Sequence, residues 1–149
     1  MKKAIVALSV LFLSVAVFGQ TGTQATAQKK AEDYIKFKEL KHDFGKIKQN
    51  QPVNYDFAFV NSSEQPIVVE YASASCGCTT PTWPQGAVAK GKNDKITAGF
   101  NAAAPGPFNK TITVKLAGVD VPVVLNIVGE VLSAEDYVKY KSGKDGKGK

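Results

Sequence analysis

The sequence predicts an all-β fold: a single antiparallel, immunoglobulin-like β-sandwich. Three observations carry that expectation. Apolar and polar residues alternate with a period of two in several short runs. Clusters of Gly, Pro, Asn, Asp and Ser separate those runs at the spacing of tight turns. Helical periodicity is almost absent between residues 34 and 131, which leaves sheet-on-sheet packing as the way to bury the apolar faces.

Taken in order, Tyr34–Leu40 and His42–Ile47 read as the first two β-type segments, followed by the polar turn 48–51. The run 52–61 has the cleanest alternation: Val53, Tyr55, Phe57 and Phe59 share one parity, Asn54 and Asp56 the other. A turn at 61–66 leads to Ile67–Tyr71, read as the partner strand of that run. A Pro/Trp loop around Pro81, Trp83 and Pro84 follows, with Trp83 expected as a lid on the core. A short Ala87–Ala89 piece precedes a strand-like run from Lys95 to Asn101. Phe108–Leu116, interrupted in its apolar parity by Lys110, and Val119–Val131 form an expected hairpin around Gly118. Ser133 is a good N-cap for a short helix through Tyr140, and a disordered basic tail is expected from Gly143.

The N-terminus predicts export. Lys2 and Lys3 precede an apolar run from Ala4 to Phe18, and Gly19-Gln20-Thr21-Gly22 ends it short of the ~20 residues a membrane span needs. Residues 1–19 therefore read as a signal peptide cleaved after Gly19, with no cysteine nearby to carry a lipid anchor. Residues 20–33 read as a flexible lead-in, 34–131 as the sandwich and 132–149 as helix and tail. The formal charge of +6 does not point to nucleic acid. Every cation is lysine, and the surplus lies in the two ends; from Gln20 to Val138 twelve lysines face twelve acids. Arginine, the residue suited to bidentate base and phosphate contacts, is absent.

The two cysteines, Cys76 and Cys78, flank Gly77 at the end of an apolar run. In an extended chain, side chains at i and i+2 share a face, with Cα atoms about 6.5 to 7 Å apart, at the upper edge for a disulfide. Gly77 is the residue able to bend the chain and close that gap. Three roles stay open: a pin for a strand-to-loop corner, a thiol-redox pair, or half of a soft-metal site. For metal the nameable ligands are Cys76, Cys78 and His42, one short of a closed zinc site. His42-Asp43 beside a cysteine would need an assembled geometry to be catalytic, and reads instead as a packing or turn-capping pair. Asn61-Ser62-Ser63 and Asn109-Lys110-Thr111 match the glycosylation pattern, a match too short to assign a role.

Three stretches together are distinctive: His42-Asp43-Phe44-Gly45, Asn61 at a strand end, and Cys76-Gly77-Cys78-Thr79. They resemble a bacterial family, domain of unknown function 1573, over roughly Tyr34 to Gly129. Gly91 and the stretch Gly106-Pro107-Phe108-Asn109-Lys110 extend the resemblance. One departure is Lys90-Gly91-Lys92, where the family tends to Pro-Gly-Glu. The resemblance implies an exported immunoglobulin-like, PapD-type sandwich and no established activity. The functional expectation is a non-enzymatic module of the cell envelope that binds or supports another envelope or secreted protein. It is expected to need no cofactor and to have no membrane span; thiol-redox or copper handling by Cys76 and Cys78 is the alternative.

Overall fold

The computed structural model describes residues 28–145, so the expected signal peptide and most of the lead-in lie outside the described residues. Eight strands form two four-stranded sheets. They are β1 (Ile35–Phe37), β2 (Lys41–Lys48), β3 (Val53–Asn61), β4 (Val69–Ala74), β5 (Thr79–Thr82), β6 (Asn93–Phe100), β7 (Gly106–Leu116) and β8 (Val123–Leu132), followed by helix α1 (Ala134–Asp145). One sheet has the order β1-β3-β6-β5, the other β2-β8-β7-β4.

Alternation becomes layers directly. In β3, Phe57 and Phe59 are buried and Tyr55 half-buried, while Asn54 and Asp56 face solvent. In β8, Val123, Leu125 and Ile127 are buried in the same way, and Ile112, Val114 and Leu116 of β7 meet them. Two half-apolar sheets face each other and cover a shared interior. The β7–β8 hairpin around Gly118 is antiparallel, as its sequence predicts.

Four expectations need correction. The sandwich is not purely antiparallel, because β2 runs parallel to β8. A parallel pair cannot be joined by a tight turn, and here the whole domain separates the two strands. Ile67–Tyr71 is not the partner of β3: the strand begins at Val69, belongs to the other sheet and pairs with β7, while β3 pairs with β6. The stretch after the cysteines, expected as a loop, contains β5, whose Pro81 is tolerated because β5 is an edge strand. The end of the lead-in is also part of the fold. Lys30 bridges Val121, and Ala31 is buried as its N–H donates to the Val121 carbonyl.

At the other end, Ser133 caps α1, its Oγ accepting from the Asp136 N–H at 3.1 Å. The helix continues through Gly143 to Asp145, longer than its sequence predicts, and packs beside β2 with the Lys46 ammonium 5.2 Å from the Tyr140 ring centroid. Among the described residues, no helix is long and apolar enough to cross a membrane.

Candidate functional site at the cysteine corner

β4 and β5 are both edge strands, one in each sheet. The chain between them crosses from one layer to the other, and that crossing is Ser75-Cys76-Gly77-Cys78. Backbone hydrogen bonds fix both sides of it. The Ser75 N–H donates to Thr111 at 3.0 Å, and the Asn101 N–H donates to the Cys78 carbonyl at 3.1 Å. Between them the Thr79 N–H donates to the Cys76 carbonyl at 3.2 Å, closing a turn. The turn brings the Cys76 and Cys78 Cα atoms to 5.3 Å, and the sulfurs are joined in a disulfide. The bend expected of Gly77 is made without a left-handed backbone, and a Cβ at Gly77 would meet nothing within 4 Å.

Thr79 places a polar side chain beside the bridge. It is 4% exposed, and its Oγ1 lies 3.7 Å from the Cys76 sulfur and 3.9 Å from that of Cys78. Bridged sulfurs carry no proton, so the hydroxyl is the donor. Both cysteines are half-buried; Cys78 packs on the core and Cys76 lies outside the group that packs there. Cys78 lines a groove of about 190 Å³ together with Phe100, Pro105, Pro107, Phe108 and Lys110. Trp83, downstream of β5, packs half-buried against the core.

His42, Asp43, Phe44 and Gly45 form a separate construction on β2. The His42 ring stacks on Tyr55 of the facing sheet, centroids 3.5 Å apart and 7° from parallel, and meets Phe44 edge-on. The Phe44 ring reaches Tyr55 and Phe108, and Phe108 stacks on Phe100 at 4.3 Å. Asp43 Oδ1 accepts from the Gly45 N–H at 2.7 Å. Gly45 has φ +64° where the β2–β8 register slips, the signature of a bulge that only glycine makes without strain. Gly129 lies under the same bulge; a Cβ there would stand 2.8 Å from the Gly45 carbonyl and 2.8 Å from the Phe108 ring.

The site residues suggested by sequence therefore fall into two groups. Cys76, Gly77, Cys78 and Thr79 come together; His42, Asp43, Phe44 and Gly45 come together elsewhere. β2 and β4 are opposite edges of one sheet, three strand spacings or roughly 14 Å apart. His42 is therefore not brought to the cysteines as a base or as a third metal ligand. Among the described residues, no three His, Cys, Asp or Glu side chains gather as a metal-holding group. Sequence reasoning missed Tyr55, Phe108 and Gly129 as partners of the β2 motif, since nothing local shows which residues face it.

Asn61 is an anchor. It is 1% exposed, its Nδ2 donates to the Gln65 and Val88 carbonyls, and its Oδ1 accepts from the N–H and hydroxyl of Ser63. Both amide hydrogens are used, so this sequon offers no nitrogen for glycosylation in the folded chain.

A family model described as "Protein of unknown function (DUF1573)" matches residues 35–131. The chain belongs to the DUF1573 family. None of the curated proteins matches this DUF1573 chain in sequence. Among solved structures it is similar to the ASH/PapD-like domain of human CEP192, at 10% identity and TM-score 0.58, over 83% of this chain and 99% of that one. A protein of unknown function from Porphyromonas gingivalis W83 is similar at 8% identity and TM-score 0.55, over 74% of this chain and 51% of the other. A family 123 glycoside hydrolase from Clostridium perfringens matches at 12% identity and TM-score 0.54, over 71% and 27%. At these identities the likeness is one of fold.

Two groups on this DUF1573 domain titrate away from their ordinary values. Tyr55 donates a hydrogen bond to Glu39, and that bond, with partial burial and the nearby Glu39 and Asp56 charges, raises the phenol. Asp56 accepts from Lys95 and from Thr97, and those bonds lower its carboxyl.

Proposed function

We propose that this DUF1573 protein is an exported, non-enzymatic envelope module that holds another protein along an open sheet edge. The observation that carries the reading is β4. Among the described residues it is a six-residue edge of its sheet, with Tyr71 within it and Val68 just before it each 41% exposed. The other edges are poorer templates. β1 has three residues, β5 contains Pro81, and α1 packs beside β2. An edge of this kind accepts a partner strand through backbone hydrogen bonds, with side chains supplying selectivity.

Export is supported by the signal-like residues 1–19 and by the Cys76–Cys78 disulfide, a bond that persists in oxidising compartments. The separation of His42 from the cysteines argues against a Cys–His nucleophilic centre. A photo-crosslinking residue at Tyr71, in cells that make the protein, should capture one partner; the same residue at Val124, on the sheet face, should not. Val68→Lys should abolish the capture, because a charge on an edge blocks strand addition. Equal capture at both positions, or capture that survives Val68→Lys, refutes the edge-docking reading. Export predicts that the protein recovered from outside the cytoplasm begins at Gln20; an intact N-terminus in the cytoplasm refutes it.

A further inference from the structure

Beyond partner binding, we propose that the Cys76–Cys78 bridge is a stoichiometric thiol–disulfide exchange site, one exchange per bridge and no turnover of a substrate, with Cys76 the sulfur attacked and Thr79 the residue that positions and stabilises the thiolates. The proposal stands independently of the β4 edge.

Three observations carry it. First, the bridge has little structural duty. It spans one intervening residue, so it removes little freedom from the unfolded chain. The crossing is held without it by the Ser75–Thr111, Cys78–Asn101 and Cys76–Thr79 backbone bonds. Opening the bridge therefore leaves the corner in place. Second, the two sulfurs differ in packing: both cysteines are half-buried, but Cys78 packs on the core and Cys76 does not. Third, the buried Thr79 hydroxyl lies within 4 Å of both sulfurs, so whichever sulfur leaves as a thiolate meets a donor already in position.

The co-reactant is a dithiol. One of its thiolates attacks the Cys76 sulfur, forming a mixed disulfide as the Cys76–Cys78 bond breaks and Cys78 leaves as a thiolate. The second thiolate of the donor then attacks its own sulfur in that mixed disulfide. The donor closes to a cyclic disulfide and Cys76 leaves as a thiolate. The donor is oxidised by two electrons, the pair is reduced by two, and the protons shed by the donor end on the two cysteines. Run backwards, the reduced pair reduces a disulfide.

The purified protein is titrated with dithiothreitol and, in a second arm, with a peptide carrying two cysteines; thiols are counted by alkylation and mass, and tertiary structure by near-ultraviolet circular dichroism. Two thiols are expected to appear together with the near-ultraviolet signal retained, and oxidised donor should restore the bridge. Faster reaction of the peptide at equal thiolate concentration supports a protein donor, and equal rates support a small-molecule donor. A bridge that opens only as the fold is lost, or with neither donor, overturns the proposal. With glutathione disulfide, Cys78→Ser should form the adduct on Cys76 at least tenfold faster than Cys76→Ser forms it on Cys78; equal rates overturn the assignment of the attacked sulfur. In the reduced protein, Thr79→Val should raise the pH midpoint of alkylation by about one unit, roughly a tenfold loss of thiolate at neutral pH, and Thr79→Ser should restore it. An unchanged midpoint in Thr79→Val removes Thr79 from the mechanism.

Discussion

The β2 motif and the cysteine corner are the two distinctive stretches of this chain, and they are built on opposite terms. In the β2 motif every side chain has a packing or turn-making duty: His42 on Tyr55, Phe44 among the rings, Asp43 capping Gly45. At the cysteine corner backbone hydrogen bonds hold the crossing, Cys78 alone of the pair packs on the core, and the bridge spans a single intervening residue. A stretch whose reactive atoms are committed to packing is architecture; one whose reactive atoms can change without moving the chain is open to chemistry.

That contrast breaks most visibly at the rings under the β2 motif. Phe108→Ala should cost about 3–5 kcal/mol in chemical denaturation, because it removes a buried ring that stacks on Phe100 and covers Gly129. A loss below about 1 kcal/mol would mean the motif is not a packing device. Gly45→Ala should cost about 1–2 kcal/mol, since φ +64° forces a Cβ into the left-handed region with the Asp43 bond at stake.

The cysteine corner should respond far less. The double substitution Cys76→Ser with Cys78→Ser should cost less than about 2 kcal/mol and leave circular dichroism unchanged, as expected for so short a ring. Gly77→Ala should stay within about 0.5 kcal/mol of the parent, because its Cβ meets nothing. Unfolding of either variant at room temperature would reverse the contrast.

A further small effect lies outside both regions. Asp56→Asn should cost less than about 1 kcal/mol, because the Lys95 and Thr97 contacts are exposed. Folding lowers the Asp56 carboxyl, so its contribution is present above the ordinary carboxylate range and lost as pH falls through the lowered folded value. The difference between parent and variant should therefore vanish in strong acid; a difference that grows there would give the interaction the opposite sign.

Much of the fold was legible in the residues. Alternation placed Tyr55, Phe57 and Phe59 on one face and predicted the β7–β8 hairpin, because a period of two needs no knowledge of the partner. Pairing was legible only where a short turn joins the strands. β4 looked like the neighbour of β3 because they are consecutive, yet it crosses to β7 in the other sheet. β5 was hidden because Pro81 and Trp83 are loop residues until an edge position makes Pro81 harmless.

The candidate site divides the same way. The spacing of Cys76 and Cys78 was enough to put two sulfurs within bridging range, since that distance is set by covalent geometry and one bend. The family's distinctive residues were also visible in the chain, and the match over residues 35–131 agrees with them. What only the tertiary structure decided was which of those residues meet. His42 faces Tyr55 instead of a sulfur, and Thr79 is buried with its hydroxyl within 4 Å of both sulfurs. Local sequence sets the direction of a side chain, but the register between distant strands sets what lies opposite it. That register comes from packing two whole sheets together, and no single stretch of the chain contains it.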